Sequence, residues 1–252
     1  MAIVKANDIS LYKDGAWHSM FGMKYYNGSA WKNMGNLSGV YCDNNWYVFL
    51  KNIYFFVYPA SDGYHDLTGN LQIINNGNVS FLTNYAAYAG GFTMMSNPQG
   101  FNIPTGWGIQ MVAGCPNGAA LPTFDIMSIG VKDSIYGDIR ISLTWKGPKT
   151  GVNATLSAIR LSDDYVIESV DISIPIDQMT QYRLEFYPQN TAEPNMWFFI
   201  NDVLQDRYFN SLDQTIWTTN SFLQIGYPRS GTIPANNLMV GEISAGVIAY
   251  SA

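Results

Sequence analysis

Glu168 and Asp171, in the stretch VIESVDI, are the two carboxylates whose spacing comes nearest to an acid–base pair. Hydrolysis of a glycosidic bond needs two carboxyl groups aimed at one point, one giving a proton and the other attacking or activating water. Side chains alternate along an extended strand, so a spacing of three sends these two to opposite faces. Asp163 and Asp164 sit together in a turn-like RLSDD and offer no better geometry. Histidine chemistry is equally thin. His18 falls inside an N-terminal repeat, and His65 stands beside Asp66 in SDGYHDL, but neither is accompanied by a marked serine nucleophile. Cys42 and Cys115 are far apart in a spacing that suits neither zinc nor a redox pair, and two reduced, partly buried thiols are expected.

Binding chemistry is better represented. The 58 residues between Asp66 and Asp125 contain no Asp, Glu, Lys, Arg or His, and are rich in Asn, Gly, Ser, Thr and Tyr. Such a segment meets solvent through neutral hydrogen-bonding groups and supplies no catalytic acid or base. Sugar recognition combines those groups with aromatic rings. Trp107 in NIPTGWG, Trp217 in TIWTTN and Tyr227 in IGYPRSG lie in Gly-, Pro-, Asn- and Thr-rich stretches, where a ring has less core to fill. They are the glycan-binding candidates. Trp197 joins them if its strand face, shared with Phe199, is the ligand-facing one. Any one of these rings fits a core as well as a ligand site; the set argues for binding more than any member does.

The bulk composition narrows the partners. With 47% apolar and 15% aromatic residues the chain can build a large core. Only 13% of residues are charged, against roughly 25% in an average domain. A net charge of −6 without a Lys/Arg cluster argues against nucleic acid, because phosphate binding needs clustered cations. The opening MAIVKANDIS lacks a signal-like apolar run, and no stretch is long and apolar enough to span a membrane. The expectation is a soluble chain made in a cytoplasm without membrane insertion.

Strand patterns run nearly from end to end. DIRISLTW (138–145) alternates, with Ile139, Ile141, Leu143 and Trp145 predicted inward. QYRLEFY (181–187) does the same with Tyr182, Leu184 and Phe186. Further strands are predicted at 53–58, 79–83, 108–113, 124–131, 154–161, 165–174, 222–226 and 238–243. IDQMTQ (176–181) could make one helical turn. In NMWFFINDVLQDRYF (195–209), Asn201-Asp202 stands where a two-residue hairpin turn belongs. The strand before it is apolar on both faces, which predicts a mid-sheet position under a second layer or a ligand.

YRLEF, WFFINDVLQ, FLQIG and the closing LMVGEISAGVIAY together resemble the C-terminal half of a concanavalin A-like (laminin-G-like) jelly roll. The resemblance implies an all-β sandwich of two large sheets. The family includes glycoside hydrolases that carry an ExDxE-type carboxylate alternation. This sequence has no such triplet, so a binding role is expected in preference to an enzyme, with a glycan-degrading depolymerase as the alternative. Family members often hold calcium near the rim. Asp62, Asp66, Asp163 and Asp164 would be its ligands here, although no defined ligand spacing appears and no cofactor is required.

The N-terminus carries two copies of one small motif, LYKDGAWHSM and YYNGSAWKNM, offset by fourteen residues. Tyr12 aligns with Tyr26 and Trp17 with Trp31. Each reads as a hairpin turning at Asp-Gly or Asn-Gly. YCDNNW (41–46) is a weak third copy or the start of the main domain. Isolated hairpins are marginal in water, so these aromatics need a neighbour to pack on. Such openings resemble those of bacteriophage tail, baseplate and fibre proteins. That resemblance implies an attachment or oligomerisation segment at 1–40, using Tyr12, Trp17, Tyr26 and Trp31, ahead of a jelly-roll domain at 41–252. The expected protein is a virion fibre or appendage subunit, dimeric or trimeric, touching other virion proteins and a host surface glycan. A decoration protein without a ligand is a third possibility.

Overall fold

The structure, a computed structural model, describes the backbone of short strands between residues 10 and 48. It describes, with their side chains, residues 54–66, 68–82, 84–98, 106–116, 123–147, 151–187, 195–228 and 237–246. Three hairpins open the chain. β1 (Ser10–Lys13) pairs with β2 (Ala16–Ser19), β3 (Lys24–Tyr26) with β4 (Trp31–Asn33), and β5 (Gly39–Cys42) with β6 (Asn45–Val48). In each, the register sets a tyrosine opposite a tryptophan: Tyr12 and Trp17, Tyr26 and Trp31, Tyr41 and Trp46. YCDNNW is therefore a third hairpin with the same pairing. The side chains of these six residues, and of His18 and Cys42, lie outside the described residues.

The rest is a two-sheet sandwich. Its strands are β7 (Lys51–Ala60), β8 (Gly63–Asp66), β9 (Gln72–Asn76), β10 (Val79–Phe81), β11 (Ala86–Ala89) and β12 (Phe92–Ser96). They continue with β13 (Trp107–Gly114), β14 (Phe124–Asp133), β15 (Gly137–Trp145), β16 (Ala154–Arg160), β17 (Val166–Ile172) and β18 (Thr180–Phe186). The last are β19 (Met196–Ile200), β20 (Val203–Tyr208), β21 (Thr215–Ile216), β22 (Phe222–Pro228) and β23 (Asn236–Val247). One nine-stranded sheet runs β10-β11-β23-β13-β18-β19-β20, with β7 on β23 and β8 on β7. The eight-stranded sheet runs β17-β16-β15-β14-β22-β12-β9, with β21 on β14. Every pairing is antiparallel, so one face of each sheet can pack on the core while the other looks outward.

The alternating sequences deliver that division. Ile139, Ile141, Leu143 and Trp145 of β15 are fully buried, as are Tyr182 and Leu184 of β18 and Ile109 and Met111 of β13. Asn201 and Asp202 both take positive φ (50° and 63°), as a type I′ turn requires, and Ile200 pairs with Val203 across it. Two expectations change. Residues 176–179 form a turn at the crossover into β18, with no helix among the described residues. β19 lies one strand from the sheet edge, and among the described residues guanidinium groups cover its outer rings.

A line of hydroxyls crosses the core and ties the sheets together. Tyr64 and Tyr88 on the nine-stranded sheet share a 3.0 Å contact. Tyr88 donates to Thr93 Oγ1 at 2.8 Å, and Thr93 donates to Asn75 Oδ1 at 2.8 Å on the other sheet. Burial raises the pKa of both phenols, which keeps them as neutral hydrogen-bonding groups.

Candidate functional site

The structure sorts the four aromatic candidates by depth. Trp107 opens β13 and is 1% exposed; its ring stacks on Phe186 at 4.3 Å and meets Trp217 edge-on at 6.1 Å. Its Nε1 donates to the Thr215 carbonyl at 3.0 Å. Trp217, 2% exposed, also packs edge-on against Phe55 at 5.8 Å. Both are therefore core rings and offer no face to a ligand. A tryptophan just outside a predicted strand reads as a loop residue in sequence, but Trp107 is the first residue of β13 and Trp217 directly follows β21, and both rings pack inward. Tyr227 and Trp197 are half-buried and face outward, on opposite sheets. Tyr227 lies beside Asp125 in register and edge-on to Phe92 at 5.0 Å. They cannot serve one site.

The carboxylate candidates are engaged in the fold. Register places Glu168 opposite Ala158 and Asp171 opposite Thr155, hence on opposite faces of β17. Glu168 accepts the Ser211 backbone N–H at 2.7 Å. Asp171 accepts from Lys146 Nζ at 2.5 Å and Thr155 Oγ1 at 2.9 Å, which holds its carboxyl below the usual range. Arg160 grips Asp163 through two hydrogen bonds (2.8 and 2.6 Å) and lowers its carboxyl in the same way. Asp62 is paired with His65 at 2.7 Å. Asp66 organises its own turn, accepting from Thr68, Asn70 and Leu71. Asp164 sits at φ 56° in the β16–β17 turn. Among the described residues no group of three His, Cys, Asp or Glu comes together to hold a metal ion. Cys115 is free and buried, and burial pushes its thiol up to about 12.

A different cluster emerges on the outer face of the nine-stranded sheet. Alternation turns Gln110 on β13, Arg183 and Glu185 on β18, and Trp197 and Phe199 on β19 away from the core. Register lines them up: Gln110 beside Arg183, Arg183 beside Phe199, Glu185 beside Trp197, and Trp197 beside Arg207 of β20. The Arg183 guanidinium lies over the Phe199 ring at 4.1 Å and reaches Glu185 at 3.3 Å and Asp202 at 3.2 Å. Arg207 stacks over Trp197 at 4.3 Å, and Tyr187 tilts against the same indole at 4.6 Å. Tyr187 donates to Glu185 Oε2 at 2.5 Å, and Gln181 donates to Gln110 Oε1 at 2.9 Å. Sequence reasoning found Trp197 and Phe199 here but missed the rest. The outward slots of QYRLEFY, namely Gln181, Arg183, Glu185 and Tyr187, were the available signal.

The chemistry of this face is aromatic and polar. It offers stacked aromatic and guanidinium planes, an amide pair, and two carboxylates that balance two arginines. Glu185 already accepts from Tyr187 and pairs with Arg183. Glu242, on the same face of β23, is different: burial raises its carboxyl above the usual range. The folded chain thus keeps this proton at pH values where the unfolded chain has lost it. Stability on this account falls as pH rises through that window and is recovered below it. Glu242→Gln, uncharged throughout, should melt higher than the parent at pH 7, with the gap closing as pH drops through the ordinary glutamate range. Identical melting curves at neutral pH would show that Glu242 bears no burial penalty.

The fold is a large all-β jelly-roll sandwich of two antiparallel sheets. No family model matches the sequence, and no curated protein matches it. Among solved structures the chain is similar to the receptor-binding domain of botulinum neurotoxin D, at 11% identity and a TM-score of 0.55, over 79% of this chain and 50% of that one. It is similar to Trypanosoma rangeli sialidase in complex with sialic acid, at 9% identity and a TM-score of 0.55, over 96% and 42%. A botulinum neurotoxin type C structure, described as depending on two ganglioside molecules for cell entry, matches at 12% identity and a TM-score of 0.52, over 79% and 49%. The chain spans half or less of the length of each. At such identities the likeness is one of fold.

Proposed function

We propose that this chain is a glycan-binding module and that the outer face around Trp197 is its recognition surface. The observation that carries the reading is the cluster of Trp197, Tyr187, Phe199, Arg183 and Arg207 on the outer side of the nine-stranded sheet. The names of the similar folds, a toxin receptor-binding domain and a sialidase holding sialic acid, support a carbohydrate ligand. A binding role is favoured over hydrolysis because Glu168 and Asp171 point to opposite faces and each is held by a partner. Loss of glycan binding is the expected result for Trp197→Ala, by about tenfold or more if stacking supplies 1–2 kcal/mol. A glycan array followed by titration of the best ligand measures it. Unchanged affinity in the folded variant would move the site elsewhere.

We further propose that the module belongs to a bacteriophage fibre or appendage subunit, carried on the virion and held to sister chains or other virion proteins by the N-terminal hairpins. What supports this is the threefold Tyr–Trp hairpin, a repeat too small to stand alone. It includes the third copy, so the segment to test is 1–48. Light scattering of the full chain should give a dimer or trimer, and removal of residues 1–48 should give a folded monomer that still binds glycan. A full-length chain that is monomeric at all concentrations would remove the oligomerisation role.

A further inference from the structure

We propose that Arg140, on the outer face of the eight-stranded sheet, anchors the carboxylate of an acidic sugar, with the Phe222 ring beside it as a platform. The ligand class rests on the glycan-binding reading above, but the site lies on the other sheet, apart from Trp197. Ile139 and Ile141 are core residues, so Arg140 between them faces outward, and its side chain is half-buried. Register sets it between Gly130 of β14 and Ile159 of β16. Gly130 in turn stands opposite Phe222 of β22, and that ring lies across it: a Cβ at Gly130 would come within 2.2 Å of Phe222 Cε1. A glycine inside a strand marks such a close approach. Here it seats a half-buried ring on the sheet in the same row as the guanidinium.

This guanidinium has no counter-charge. The other described arginines are engaged: Arg160 with Asp163, Arg183 with Glu185 and Asp202, and Arg207 over the Trp197 ring. Arg140 makes no hydrogen bond, ion pair or ring contact among the described residues. Its Nε is buried without an acceptor, while the terminal amino groups are not sealed in and remain open to an end-on contact. The neighbours cannot supply the missing acceptor. Ser128 and Ser142, in the adjoining row, are buried and share their hydroxyls at 3.1 Å. Asp138, two positions back on the same face, stands opposite Lys132, and both are exposed. Lys132 and Arg140 against Asp138 leave this corner with a positive charge in excess, in a chain whose net charge is −6. A half-buried cation without a partner is costly to the free chain, and a carboxylate that takes two N–H···O bonds from it offsets that cost. The surroundings suit a sugar better than a bare anion. Phe222 offers a ring to C–H groups, Gln224 an amide on the same face, and Ser96, beside Phe222 in register, a hydroxyl; all three are half-buried.

The test titrates the full-length chain with glucuronate-containing oligosaccharides and with their neutral glucose counterparts, for the parent, Arg140→Met, Arg140→Lys and Trp197→Ala. Arg140→Met keeps the length of the stem and removes the charge and the donors. It should weaken binding of the acidic series about tenfold or more and leave the neutral series as it was. Arg140→Lys keeps the charge but loses the planar fork, and should fall between the two. Without sugar, Arg140→Met should melt no lower than the parent, since the guanidinium has no partner to lose; a clear drop would give Arg140 a role in the fold and overturn the site. Acidic binding that survives Arg140→Met but fails in Trp197→Ala would move the carboxylate to the nine-stranded sheet, leaving the glycan reading intact. Equal binding of both series by the parent would overturn the ligand class. Acetate bound as tightly as the acidic sugar would overturn the platform, leaving a bare anion contact. A parent that binds no sugar would sink the glycan reading together with this site.

Discussion

Trp107→Ala will lose about 3–5 kcal/mol of stability, the range for removing a large aromatic ring from a packed core. Its ring is stacked on Phe186, edge-on to Trp217, and hydrogen-bonded to the Thr215 carbonyl. Truncation therefore leaves a cavity at the end of the sandwich and frees a carbonyl that β21 had committed to this indole. Neighbouring rings anchored in two different sheets cannot close over such a gap without moving a strand. Trp107→Phe keeps most of the volume and should cost about 1–2 kcal/mol, chiefly the lost hydrogen bond and part of the ring. Urea unfolding followed by fluorescence measures both. The phenylalanine variant should also bind glycan as the parent does, because Trp107 offers nothing to a ligand. A Trp107→Ala protein as stable as the parent would contradict the core assignment.

Asp133→Ala is expected to cost about 2–4 kcal/mol, because it orphans three backbone donors together. The carboxylate is buried at the end of β14. Oδ1 accepts the N–H groups of Ile135 and Tyr136, closing the β14–β15 turn, and Oδ2 accepts the Asp213 N–H, all at 2.9 Å. It thus buckles the segment after β20 onto the eight-stranded sheet, where β21 pairs with Lys132 and Asp133. The Ser134 side chain donates to Asp213 at 2.5 Å and reinforces the same buckle. Asp133→Asn retains one acceptor oxygen and should lose roughly half as much. Because β21 also receives the Trp107 indole, the Trp107 and Asp133 losses should be less than additive in the double variant. Additive losses would show that the two anchors act independently.

Much of the architecture was legible from local pattern. Inward faces in 138–145 and 181–187 followed from alternation, since a half-buried strand has only one way to hide its apolar residues. Asn201-Asp202 fixed its turn because few residue pairs accept two positive φ angles. The N-terminal hairpins were visible as a repeat. Strands β8, β9, β11 and β12 were not. They are only four or five residues long, too short to show a clear alternation, and the sheet stabilises β11 and β12 through β23 and β22, which lie far away in sequence.

Sequence alone thus determined an all-β chain, its repeated Tyr–Trp spacing, the odd spacing that separates Glu168 from Asp171, and the supply of outward aromatic and polar residues. Only the tertiary structure decided which rings remain open. Trp107 and Trp217 look like loop residues in the chain but are sealed by contacts with Phe186 and Phe55. The candidate face joins Gln110, Arg183, Trp197 and Arg207, which come from four strands. Its existence depends on the register between those strands, and register is set by long-range packing that no local pattern encodes.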